Sequence, residues 1–110
     1  MPESLKILGQ LLPANTTLTD CYTVPASSSA TISSVSVCNL TNAVKTFRIS
    51  VAIAGAADNN KQYIFYDQEI EAFSNFSATI GITMAATDVL RVQTSQASAL
   101  SFNVFGIEVS

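Results

Sequence analysis

The stretch "YDQEIE", residues 66–71, holds the densest set of chemistry-bearing side chains in this 110-residue chain. On a regular strand Asp67, Glu69 and Glu71 point the same way, roughly 7 Å apart between successive same-face positions. Carboxylates so placed could serve a calcium site or supply the acid and base of a glycosidase. Calcium loops converge their oxygens on a turn, whereas a straight strand spreads them. A glycosidase groove wants aromatic sugar platforms, and the chain has no tryptophan. The three acids read instead as a solvated strand edge, whose charge discourages sheet-to-sheet pairing.

The other ingredients of chemistry are missing. Histidine is absent, which removes the commonest proton-transfer group near neutrality and the commonest metal ligand. A Ser-His-Asp or Cys-His arrangement is therefore impossible within one chain. The four glycines form no phosphate-cradling motif. Cys21 and Cys38 are too few for a zinc site, their spacing matches no redox motif, and both read as small buried hydrophobes. Three glycosylation-type triplets, at Asn15, Asn39 and Asn75, occur at about the number chance supplies and are taken as inert. No catalytic, cofactor-binding or metal-binding residue is assigned.

Charge narrows the partners. The net charge is -3, and the five basic residues (Lys6, Lys45, Arg48, Lys61, Arg91) are scattered. Nucleic acid, held mainly by Lys and Arg displacing counterions, is excluded as a partner on those grounds. No run approaches the roughly 20 apolar residues that span a bilayer, so no membrane partner is expected, and the opening residues do not read as a secretion signal. Charged residues are 12% of the chain, against about 25% in an average domain. Ser and Thr fill about a quarter of positions. A hydroxyl-rich, weakly charged surface resists association poorly, so much of it is expected to be covered by a partner or by further copies.

The elements that carry these residues alternate with period two. In "KTFRISVAIAG" Phe47, Ile49, Val51 and Ile53 fall on one face, with Thr46, Arg48, Ser50 and Ala52 opposite. In "FSNFSATIGIT" Phe76, Ala78, Ile80 and Ile82 do the same. Further strands are expected over 17–24, 30–40, 62–67, 88–94 and 99–109, separated by turn-forming clusters such as "PASSSA" and "GAADNNK". About eight strands in all imply an all-β fold, an antiparallel sandwich of jelly-roll or immunoglobulin-like type. One domain, 14–110, follows an N-terminal segment, 1–13, that is either a free arm or an edge strand. Two phase changes stand out. In the last strand the apolar set moves from Leu100, Phe102 and Val104 to Phe105, Ile107 and Val109, which predicts either a bulge near Gly106 or a strand buried on both faces. A similar irregularity is expected between Ile32 and Val35.

Lys6-x-Leu8-Gly9-Gln10, then Pro13, "TLTDCYTVPA", "SSVSVCN", "FRISVAIAGAAD" and "TIGITMAATDVLRV" resemble a family of small virion proteins of tailed bacteriophages, cyanophages included. The resemblance runs over nearly the whole chain. It implies a non-enzymatic virion protein made in the host cytoplasm and carried on the capsid surface, as a decoration or cement protein. The implied partners are the major capsid protein and further copies of the chain, as a trimer seated where capsomers meet. The arm "ESLKILGQLL" would then add to a sheet edge or lie in a groove, with Leu5, Ile7, Leu8, Leu11 and Leu12 as anchors. Pro13, lacking an N–H, would end the pairing. The other reading of the arm is the first strand of its own sandwich. A tail, neck or fibre module shares these expectations, and a host-glycan-binding sandwich is a third reading, with Tyr66 as its exposed aromatic.

Overall fold

A computed structural model describes residues 3–110; Met1 and Pro2 of the N-terminal segment lie outside the described residues. The strands are β1 (Glu3–Leu11), β2 (Thr19–Thr23), β3 (Ser29–Asn39), β4 (Lys45–Ala52), β5 (Tyr63–Ile70), β6 (Asn75–Met84), β7 (Val89–Thr94) and β8 (Leu100–Val109). Two single 3-10 turns, Ile53–Gly55 and Asn60–Gln62, interrupt the β4–β5 connection. The strands form two four-stranded sheets, ordered β1-β8-β3-β6 and β2-β7-β4-β5. Pairing is antiparallel and nested: β1 with β8, β2 with β7, β3 with β6, and β4 with β5. Further pairings of β3 with β8 and of β4 with β7 roll this long hairpin into a sandwich. That order is a jelly roll, which decides between the two sandwich types the sequence allows.

Alternation builds the core. Phe47, Ile49, Leu90 and Val92 from one sheet meet Ile32, Val35, Val37, Phe102 and Val104 from the other, all essentially inaccessible to solvent. Phe47 is the aromatic hub, with ring centroids 5.4 Å from Phe76 and 5.9 Å from both Phe65 and Phe102. Tilted and edge-on pairs of this kind add about 0.5–1.5 kcal/mol each beyond the area they bury. The predicted inward row of β6, Phe76 to Ile82, packs on this core as well.

Two expectations need correcting. Ile53 does not continue the Phe47 row; it is 81% exposed, because Ala54 adopts φ +52° and turns the chain out of β4. On the opposite side of β4, Ser50 and Ala52 are buried by the chain itself. Arg91 sits across from Ser50 and donates to the carbonyls of Gly55 (3.0 Å) and Ala56 (2.8 Å). Those bonds draw the β4–β5 connection over the outer face of the sheet.

The second correction concerns β8. The bulge predicted near Gly106 belongs to its neighbours. Between the rungs at Gly106 and Val104, β3 spends one residue more than β8 (Ile32 to Val35), and β6 one more again (Ile82 to Ala78). On the other flank β1 also carries an extra residue, Leu8. The irregularity expected between Ile32 and Val35 is the β3 part of this fan, and Ser33 caps it by donating to the Phe105 carbonyl at 3.2 Å. Strand β8 itself runs straight, so Phe105, Ile107 and Val109 stay on the outer face of the sheet.

Candidate interaction surface

The outer face of the β1-β8-β3-β6 sheet is built from cross-strand partners, which share a face in an antiparallel pair. Leu5 lies beside Ile107 and Ile7 beside Phe105. One strand further, Thr31 lies beside Ile107 and Ser29 beside Val109, and Thr83 follows Thr31 on β6. One end of the face is therefore apolar, with Leu5 81% and Ile7 53% exposed above half-buried Phe105, Ile107 and Val109. Covering either exposed side chain fully would contribute roughly 1.5–3 kcal/mol. Past the Leu8 bulge the face turns polar: Gln10 donates to Asn103 at 2.7 Å, and Asn75 donates to Ser77 at 2.9 Å.

The underside of β1 explains why this ridge is held firmly. Lys6 reaches Glu108 at 2.7 Å, and the Tyr22 hydroxyl of the facing sheet donates to the same carboxylate at 2.6 Å. The Lys6 ammonium, and then the Tyr22 hydroxyl, hold the Glu108 carboxyl below the usual glutamate range. Desolvation, joined by the Glu108 contact, raises the Tyr22 phenol well above its ordinary value. Gly9 lies so close to β2 that a Cβ there would come within 2.6 Å of the Cys21 carbonyl oxygen. Burial at this crossing pushes the Cys21 thiol up to about 11.

The five sequence-predicted anchors therefore separate. Leu5 and Ile7 point outward together; Leu12 is exposed beyond the strand end; Leu8 and Leu11 turn inward and pack against the core. Pro13 is buried, and its carbonyl accepts from Ser98 N–H at 2.8 Å. The residues missed are Phe105, Ile107 and Val109. Their signal was the phase change in β8, which marks a second apolar face rather than a change of direction.

The carboxylates of residues 66–71 do not act together. Strand β5 is an edge strand, but it bulges opposite Arg48, where the register jumps from Phe65 to Gln68. Asp67 takes φ +53° there and accepts from Arg48 at 2.7 and 3.2 Å. The same guanidinium lies 3.8 Å from the centroid of exposed Tyr66. Among the described residues no three His, Cys, Asp or Glu side chains gather as a metal site. Cys21 and Cys38 stand on opposite sheets, unpaired and half-buried rather than fully buried.

The described residues thus form an eight-stranded jelly roll with an apolar ridge on the outer face of one sheet. No protein-family model and no curated protein matches the sequence. Among solved structures, the chain is similar to one from the acidic stable capsid structure of Helicobacter pylori bacteriophage KHP30, with TM-score 0.54 and 13% identity over 98% of this chain and 87% of that one. A pentameric capsid protein isolated from metagenomic phage sequences aligns with TM-score 0.38 and 12% identity, over 94% of this chain and 59% of that one. At such identity the first likeness establishes a shared fold.

Proposed function

We propose that this protein is a non-enzymatic structural component of a phage virion, a capsid decoration protein that clamps adjacent major capsid subunits and associates with further copies of itself as a trimer. The observation that carries the reading is the Leu5–Ile7–Phe105–Ile107 ridge, an apolar strip across the edge strand β1 and its neighbour β8, with Leu5 and Ile7 exposed above half-buried Phe105 and Ile107 and its underside pinned by Glu108 and Tyr22. A ridge so held loses little freedom on docking, and several linked copies bind a shell far more tightly than one. Occupancy then stabilises the assembled shell by linkage. The fold shared with a chain of a phage capsid structure supports the same reading. The test is to mix the purified protein with shells of the major capsid protein of the same virus: co-sedimentation in hundreds of copies per particle is expected, and failure to co-sediment, the behaviour of a tail or neck protein, would overturn the capsid position.

A second reading, glycan binding for host attachment, draws on exposed Tyr66 beside Arg48 and Asp67. Loss of binding to host polysaccharide in Tyr66→Ala would support it, and absence of any such binding by the parent protein would retire it.

A further inference from the structure

The β5–β6 turn contains a residue that local backbone chemistry argues against. Ser74 N–H donates to Glu71 O at 3.1 Å, which closes a four-residue turn with Phe73 third at φ +53°. Glycine is the ordinary occupant of such a position, and a bulky side chain there costs roughly 1–2 kcal/mol. Phe73 nevertheless sits there 73% exposed. Its N–H donates to Thr41 O at 3.0 Å, which lays the turn beside the β3–β4 loop and its exposed Leu40 and Val44. The strain holds an aromatic knob out into solvent at one end of the sandwich, with Glu71 next to it.

The opposite end of β5, roughly 25 Å away at a strand's rise, carries a matching recess. Val51, Ile53, Ala56, Gln62 and Ile64 line a mainly apolar cleft of about 360 Å³, with Lys61 at its wall. Ile53 and Ile64 are exposed there. The knob of one molecule cannot reach its own cleft, because the length of β5 separates them. We propose that Phe73 of one copy inserts into the Ile53–Ile64 cleft of the next, with Glu71 meeting Lys61, so that the protein associates head to tail. The knob and the cleft lining are both apolar, Glu71 and Lys61 carry opposite charge, and the cleft has room for a phenyl ring. An interface between two different surfaces closes into a ring when its rotation permits, which suits the trimer in the proposed function. This inference rests on the self-association in that reading and not on shell binding.

Two variants test it, Phe73→Gly and Ile53→Glu, each replacing a solvent-exposed side chain. The oligomeric state of the parent protein, each variant and their mixture is read by native mass spectrometry and sedimentation equilibrium. Phe73→Gly is expected to weaken association between about tenfold and a hundredfold, the value of one buried aromatic side chain. Its melting temperature, measured at a concentration where the parent is monomeric, should not fall, because glycine relieves the turn. Ile53→Glu alone should likewise associate more weakly than the parent. The mixture should give a one-to-one dimer, since each variant keeps the surface the other lacks. A parent oligomer that survives Phe73→Gly, or variants that fail to complement, would overturn this interface while leaving self-association standing. A parent protein monomeric at high concentration would overturn both.

Discussion

Asn39 and Glu108 show how much of this fold hangs on single polar atoms. The Asn39 amide is buried and donates to the carbonyls of Ala43 (2.9 Å), Ile70 (3.1 Å) and Glu71 (3.1 Å), while its oxygen accepts from Thr41 N–H at 2.9 Å. It ties the β3–β4 loop to the end of β5. Asn39→Leu keeps the shape and strands those groups without partners, so it should cost about 3 kcal/mol in denaturant unfolding. Glu108 makes a pH prediction. Its folded pKa is lowered, chiefly by Lys6, so its stabilisation is present above the ordinary glutamate value of about 4.3 and is lost as pH falls through the lower folded value. Glu108→Gln should flatten the fall in melting temperature below about pH 4.5, and an unchanged acid slope would contradict the assignment. Neither role was legible in the sequence. Asn39 showed only a glycosylation-type triplet, and Glu108 one acid in an apolar strand, because both act through partners remote along the chain.

Among the elements, β4 and β6 were legible because one face of each packs on the core and the other does not, so alternation encodes their direction. Strand β8 was ambiguous, since its phase change fitted both a bulge and a strand covered on both faces, and the second holds, its outer face half-buried. The cause is Gly106. A Cβ there would collide with the Thr31 carbonyl oxygen and press on Leu8, because the extra residues of β3 and β1 crowd against the unbulged strand between them. Gly106→Ala is expected to lose at least about 3 kcal/mol or fail to fold. Gly81→Ala, where a Cβ meets nothing within 4 Å, should leave the melting temperature nearly unchanged. Equal effects would mean that the fan of bulges does not shape this sheet.

At the scale of the whole molecule, low charge and abundant hydroxyls pointed to a surface meant to be covered, and the jelly roll places its apolar parts in separate regions. The N-terminal anchors were named as one set, yet a bulge at Leu8 divides them into an outward pair, Leu5 and Ile7, and an inward pair, Leu8 and Leu11, with Leu12 exposed beyond the strand end. Sequence spacing cannot register that split, since it depends on where β8 lies. The measurement that bears most directly on the decoration reading is co-sedimentation of Leu5→Glu/Ile7→Glu with capsid shells, beside Thr79→Glu on the hydroxyl-coated strand β6 of the same sheet. The double variant should fold, with an unchanged melting temperature, and lose at least about a hundredfold in shell affinity, while Thr79→Glu binds as the parent does. A double variant that folds and still decorates shells at parental affinity would contradict the account.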